Sequence, residues 1–276
     1  MTRPDWIALV REDGTLSAWA MASDGGTLAE AEAAVSADVS GAEIRAVLGA
    51  WEVDARTPIL ASGLPGGTLR TVPCTPLPET IAAEDRDGVV LHPVPSLMQQ
   101  NPRALTEGAE TAIAGFLALN PGFDGVICRP GGRTVWAQVS AGEVVSFQCA
   151  VTAALRAALV GPAPEAEWDG DAFADALSAT MSRPETLATR LASIRAGHLL
   201  GDLSQVATVA RYDGALIGAD LAAAKPYWLG MPVALVGSAR ACRPYAAGLE
   251  AQGVTPLRTR GDACLRAGLE MARRRI

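Results

Sequence analysis

Three short segments carry residue types whose spacing suits phosphate or carboxylate chemistry. The first is Glu12-Asp13-Gly14-Thr15, set between apolar runs at 6–11 and 15–21. Asp-Gly between two such runs signals a hairpin, because the tight turn needs positive φ at both central residues. A carboxylate near a strand end can hold Mg2+ or its water, and small residues let backbone N–H groups approach a phosphate. In that reading Asp13 is the metal ligand and Gly14 a phosphate contact; a plain hairpin is the alternative. The second segment is Arg129-Pro130-Gly131-Gly132-Arg133-Thr134. Gly131 and Gly132 beside guanidinium groups could bind an anion, since the arginine fork of Arg133 matches phosphate or carboxylate oxygens. A glycine-rich hairpin is equally compatible with it. In the third, the apolar run 233–236 leads directly into Gly237-Ser238-Ala239. Strand, small-residue turn and helix N-terminus make a nucleotide-binding corner, although glycine also serves packing there.

These segments need a scaffold of alternating strands and helices. Residues 6–11, 15–21, 58–62 and 88–92 read as strands, and 28–51, rich in alanine and glutamate, as helix. Residues 72–78 hold three prolines and read as extended chain at an edge. From 105 to 119 apolar residues recur at helical spacing until Asn120-Pro121-Gly122 stops them. Strands follow at 125–128, 134–139 and 143–149, and then a helix at 151–159. A Pro/Glu-rich linker is expected at 162–167 and mostly helix to 224. The strand at 233–236 and two closing helices complete the chain. Strand-rich stretches thus occur twice, each followed by helix. The expected organisation is two α/β lobes, 1–104 and 105–276, the second carrying the nucleotide corner.

Composition narrows the function classes. The chain has 276 residues, 49% hydrophobic and 19% charged, with a formal net charge of −7. That much apolar content is enough to order most of the chain. The acidic balance, with no basic run except Arg273-Arg274-Arg275, argues against a nucleic-acid partner. No stretch is long and apolar enough to suggest a membrane span or a targeting segment. The five cysteines are scattered, without zinc or redox spacing, and read as buried free thiols of a cytoplasmic protein. His92 and His198 are the only histidines, which rules out a histidine-rich metal site. The Walker-type phosphate loop, the Gly-x-Gly-x-x-Gly turn, the zinc His-Glu-x-x-His and the Gly-x-Ser-x-Gly elbow are all absent.

Taken in order, the segments resemble the 2-dehydro-3-deoxygalactonokinase family over almost the whole chain. The likeness is carried by Ile7-Ala8-Leu9 with Ala18-Trp19, by Pro58 to Gly63, and by Gly108-Ala109-Glu110-Thr111. It continues in Pro130-Gly131-Gly132 with Trp136, in Arg195 to Gly201, in Gly214 to Asp220, and in Leu235-Val236-Gly237-Ser238 with Gly261-Asp262-Ala263. The resemblance implies two actin-like lobes with a cleft between them. It also implies ATP and Mg2+ as cofactors, and phosphoryl transfer to a hydroxyl of the sugar acid 2-dehydro-3-deoxy-galactonate. In such kinases positioning and charge neutralisation do most of the work, and a carboxylate takes the hydroxyl proton. Asp13, three residues beyond the position that matches the family's metal-binding aspartate, would have to take over the metal, and it would share the chemistry with Glu110. Gly14, Gly131, Gly132, Gly237 and Ser238 would bind the nucleotide, and Arg133 with Glu110 the sugar acid. A homodimer is left open.

The departures from the family pattern are also specific. Val10 stands where the family's first strand ends in aspartate, and valine cannot ligate Mg2+. Ala109 and Ala154 replace family carboxylates, and Gly132, Arg133 and Val135 replace a hydroxyl, an imidazole and a lysine. Scaffold positions such as Trp19, Trp136, Gly201, Gly218 and Gly237 match. Two functions follow from this mixture. One is a sugar-acid kinase of altered activity. The other is an inactive relative that senses a sugar acid or nucleotide on the same fold.

Overall fold

The computed structural model describes residues 2–54, 56–161 and 168–276. The linker expected at 162–167 lies outside them. In chain order the strands and α-helices are β1 (Trp6–Glu12), β2 (Thr15–Met21), β3 (Thr27–Ala34), α1 (Gly41–Leu48), β4 (Ile59–Ser62), β5 (Arg70–Thr71), β6 (Glu84–Arg86), β7 (Val89–Pro93), β8 (Leu97–Gln100), β9 (Arg103–Leu105) and α2 (Ala109–Leu119). They continue as β10 (Gly125–Arg129), β11 (Thr134–Ser140), β12 (Glu143–Ala150), α3 (Thr152–Val160), α4 (Gly170–Ser182), α5 (Leu187–Leu199), α6 (Gln205–Ala223), α7 (Lys225–Trp228), β13 (Val233–Gly237), α8 (Ala239–Glu250), β14 (Leu257–Arg260) and α9 (Gly261–Arg273).

Two compact units form. The first is Met1–Asp124 with Val139–Phe147 and Thr259–Ile276, and the second is Gly125–Gln138 with Gln148–Arg258. The expected lobe boundary at 104/105 thus falls within the first unit. The reason is α2, which packs on α9 of the same unit. A Cβ on Gly115 would collide with the Cys264 carbonyl oxygen, and one on Gly268 with the Thr111 carbonyl oxygen. The two helices therefore touch backbone to backbone.

The first unit is built on a six-stranded sheet in the order β3-β2-β1-β4-β7-β6. β1 and β2 are antiparallel, whereas β1 pairs with β4 and β4 with β7 in parallel. Alternation sends Ile7 and Leu9 to one face, where they pack with Ile44, Val47 and Leu48 of α1. Trp6, Ala8 and Val10 face the other way, toward Ala114 of α2 and Leu269 of α9. Each aliphatic side chain buried so completely contributes roughly 1.5–3 kcal/mol. The sequence reading of 28–51 as one helix is corrected here. Residues Thr27–Ala34 pair with β2, Ala18 opposite Ala31 and Trp19 opposite Glu30, and only Gly41–Leu48 is helical. Alanine and glutamate favour helix in isolation, but edge pairing wins because Leu28, Glu30 and Glu32 can all point to water. Ser40 then starts α1 with a reciprocal capping box to Glu43.

The second unit takes from the five-stranded sheet β12-β11-β10-β13-β14 the parts of those strands that lie within it. At its centre β10 and β13 run parallel, with Val126, Ile127 and Cys128 opposite Val233, Ala234 and Leu235. Side chains of α4, α6, α7 and α8 pack into this core, and α6 runs through it with buried residues from Thr208 to Leu221. Gly214 and Gly218, four residues apart on α6, press against Phe173 and Leu177 of α4, leaving no room for a side chain on either. The stretch 214–220, one of those that carry the resemblance, is therefore in large part a helix-packing seam.

Candidate active site

In the second unit, the loop 130–133 follows β10 and the Gly237–Ser238 turn follows β13. The parallel pairing of these strands makes the two turns neighbours at one sheet edge. Carboxyl ends of parallel strands are where open α/β sheets bind ligands. A Cβ on Gly237 would stand 3.0 Å from Cys242 Sγ and 3.6 Å from both the carbonyl oxygen and Cδ of Pro130. Glycine thus lets the two turns close on one another. Ser238 caps α8, its Oγ accepting from the Ala241 N–H at 3.1 Å. The helix accordingly presents its first N–H groups and its positive end at this edge. Gly131 and Gly132 are half-buried and Arg133 is exposed.

Directly after these turns lies a buried polar network. Oδ1 of Asp220 in α6 accepts from Trp136 Nε1 at 3.0 Å. Its Oδ2 accepts from Thr152 Oγ1 at 2.7 Å and from the Tyr245 hydroxyl at 2.6 Å. Thr134 Oγ1 stands 2.7 Å from the Tyr245 oxygen. Because Tyr245 donates to the carboxylate, Thr134 must donate to Tyr245, so the chain has one direction. Burial raises the Asp220 carboxyl above its ordinary value, and the hydrogen bonds from Tyr245, Thr152 and Trp136 pull against that rise. Tyr245 is pushed well up, first by its own burial and then by the Asp220 charge.

A second carboxylate of α6, Asp213, is 7% exposed and holds Arg156 of α3, with Nε to Oδ1 at 2.5 Å and Nη2 to Oδ2 at 3.4 Å. Burial raises its carboxyl, against the hydrogen bond and charge of Arg156 and the charges of Arg240 and Arg243 in the first turns of α8. Arg243 also lies over the Trp168 ring, 4.4 Å from its centroid. Arg156 of α3 and the α8 pair Arg240 and Arg243 thus all act on Asp213, and the local field there is more positive than the overall charge suggests.

The first unit holds the other predicted residues. Asp13 and Gly14 form the β1–β2 turn with φ of 52° and 77°, and Asp13 is exposed at its tip. Val10 pairs with Ser62 at the parallel edge of β4, and its side chain is buried among apolar neighbours. By strand alternation Glu12 lies on the same sheet face as Val10, one repeat further on. Next to this strand end, Gly63 fits where a Cβ would collide with the Arg11 carbonyl oxygen, and it abuts Gly108 at the start of α2. Ser62 Oγ and Thr111 Oγ1 are 2.7 Å apart. Glu110 is fully buried, and its Oε2 accepts from Thr106 Oγ1 at 2.5 Å and from the Gly108 N–H at 3.0 Å.

The structure therefore divides the candidate residues. Gly131, Gly132, Arg133, Gly237 and Ser238 lie along one edge of the second unit. Asp13, Gly14 and Glu110 belong to the first.

A profile of the 2-keto-3-deoxy-galactonokinase family matches residues 10–272. The chain belongs to this family. A probable 2-dehydro-3-deoxygalactonokinase of Rhizobium meliloti is 28% identical to it, over 94% of this chain and 93% of that protein. The 2-dehydro-3-deoxygalactonokinase of Escherichia coli is 24% identical over 78% and 77%. The crystal structure of a candidate 2-dehydro-3-deoxygalactonokinase from Sinorhizobium meliloti superposes with a TM-score of 0.82 at 26% identity, covering 98% of each chain. An activator of 2-hydroxyisocaproyl-CoA dehydratase from Clostridium difficile, solved with ADPNP, shares the fold at 9% identity and a TM-score of 0.52. The fold of this 2-keto-3-deoxy-galactonokinase family member is the actin-like ATPase fold.

Three of the positions where this family member departs from the family pattern are core positions. Val10, Ala109 and Val135 are all buried, so each has become part of the packing. Ala154 lies on the exposed side of α3. The Asp220 network was missed as a site by sequence reasoning. Its signal was present: one carboxylate inside the apolar run 214–221, which must find donors if that helix is buried.

Proposed function

We propose that this protein is an ATP-dependent kinase that transfers a phosphoryl group to a hydroxyl of 2-dehydro-3-deoxy-galactonate. The observation that carries this reading is the juxtaposition of the loop 130–133 with the Gly237–Ser238 turn, in a chain matched to the kinase family over residues 10–272. Backbone N–H groups of Gly131, Gly132 and the start of α8 are suited to phosphate oxygens, and the arginines around Asp213 raise the local potential for an anion. Arg133 supplies a guanidinium for a carboxylate or phosphate at the mouth of that edge. Glu110 is fully buried and engaged by Thr106 and Gly108, so in this reading it fixes the first turn of α2 for the substrate side rather than touching the sugar acid.

Among the described residues no three His, Cys, Asp or Glu side chains cluster as a metal cage. Mg2+ in phosphoryl transfer needs only one or two carboxylates, with phosphates and waters completing its shell. Glu12 and Asp13, adjacent hard-oxygen donors at the β1–β2 turn, suit that demand and would hold it. When bound, Mg2+ neutralises charge on the transferring phosphates. The absence of a helix long and apolar enough to cross a membrane, among the described residues, and the five free cysteines fit a cytoplasmic enzyme.

A coupled assay of ADP release tests the reading. The expected result is turnover that depends on the sugar acid, with ATP and Mg2+ present. Folded protein that gives no turnover above background at millimolar sugar acid would overturn it. In that case ATP binding without turnover would point to the sensor.

A further inference from the structure

We propose that Asp220 is a positioning residue for nucleotide binding, acting as one buried anchor for the segments that leave both candidate phosphate turns. The inference rests on the nucleotide reading above. Thr134 and Trp136 lie at the exit of the loop 130–133, and Tyr245 lies two turns into the helix that starts at Ser238. Thr152 opens α3. Their side chains converge on one carboxylate: Trp136 at 3.0 Å, Thr152 at 2.7 Å and Tyr245 at 2.6 Å, with Thr134 donating to Tyr245 at 2.7 Å.

The physical case turns on what else could fix these turns. Gly131 and Gly132 carry no side chains to fix their own place, and Thr134 at the exit ties the loop to the buried network. Gly237 has no side chain to hold Pro130, and even an added Cβ would reach it only at an ordinary van der Waals distance of 3.6 Å, so this contact sets no angle between β13 and α8. Directional bonds to a buried, charged acceptor do set such angles, and leaving one donor without its acceptor is costly in the interior. Asp220 is 4% exposed and Tyr245 also 4%, so neither group meets ligand or bulk water. The carboxylate therefore acts through its partners, and phosphate contacts would loosen when a partner is removed.

Two mild variants test this without removing the carboxylate. Tyr245→Phe keeps the ring and deletes the hydroxyl, and Thr152→Val keeps the shape and deletes the donor, whereas Thr152→Ser restores it. Nucleotide affinity is read by calorimetry with ATP, and KM for ATP and for the sugar acid by steady-state kinetics. Each deletion is expected to weaken ATP binding about tenfold while KM for the sugar acid stays within about twofold. Thr152→Ser is expected to return ATP affinity to the wild-type value. Folded variants that bind ATP as tightly as wild type would overturn the inference and leave the kinase reading standing. Equal loss toward ATP and sugar acid would also overturn it, as a purely structural role predicts. A wild-type protein that binds no ATP would instead defeat the nucleotide reading, and this inference with it.

Discussion

A side-chain carbon on Gly237 would stand 3.6 Å from the carbonyl oxygen of Pro130, so the turns after two parallel strands meet at a glycine. The same carbon would be 3.0 Å from Cys242 Sγ, tighter than ordinary packing. A single methyl can be absorbed by a small shift of that sulfur, but a branched side chain cannot. Gly237→Val is accordingly expected to raise KM for ATP about tenfold, roughly 1.4 kcal/mol, with KM for the sugar acid little changed. Steady-state kinetics with each substrate varied in turn checks this. A variant with unchanged KM for ATP would separate the turn from the nucleotide.

The α2–α9 contact makes a stability prediction. Gly268→Ala drives its new methyl into the backbone of Thr111, which no rotamer change relieves. Overpacking of this kind costs about 3 kcal/mol, at the upper end of what core insertions show. Urea unfolding should show the loss as a lower midpoint with little change in slope. A midpoint equal to that of wild type would mean that the helices separate at no cost.

Breaking the Arg156–Asp213 pair should be worse than replacing it. Arg156→Met leaves a buried carboxylate without its bidentate partner and is expected to destabilise by about 3 kcal/mol. Arg156→Met combined with Asp213→Leu should recover most of that loss, because no charge then remains buried. Chemical denaturation of the single and double variants distinguishes the two outcomes. A double variant no more stable than the single one would contradict the account.

Glu43 supplies a pH test. Its carboxyl is held down at about 2 from an ordinary 4.5, first by the Ser40 and Ser36 backbone N–H groups and then by the Ser40 hydroxyl, with the Ser36 hydroxyl last. A carboxyl lowered in the folded state stabilises fully above its unfolded value, and the contribution is lost as pH falls through the folded one. The gap in melting temperature between wild type and Glu43→Ala should therefore be constant above about pH 5 and narrow as pH falls from 4.5 toward 2. A gap independent of pH over that range would show that the capping box does not depend on the charge.

Much of the scaffold was legible in the sequence because its signals are local. Asp13-Gly14 specified its hairpin, Asn120-Pro121-Gly122 marked the end of α2, and the apolar run before Gly237 marked β13. β3 was misread because alanine and glutamate favour helix, and only the neighbouring strand makes Thr27–Ala34 extended. The first unit's claim on α2 was equally hidden, since it depends on Gly115 and Gly268 meeting a helix about 150 residues away. At the site, the glycine turns could be picked out one at a time, but their adjacency required the β10–β13 pairing. The convergence of Trp136, Thr152 and Tyr245 on Asp220 spans four elements, and no local pattern encodes it.

The most direct test of the account is to incubate the wild-type protein with γ-labelled ATP, Mg2+ and 2-dehydro-3-deoxy-galactonate and resolve the products. The account predicts label in a phosphorylated sugar acid, formed in step with ADP and sharply reduced in Gly237→Val at subsaturating ATP. Label that stays in ATP, or appears only as inorganic phosphate whether or not the sugar acid is present, would contradict it.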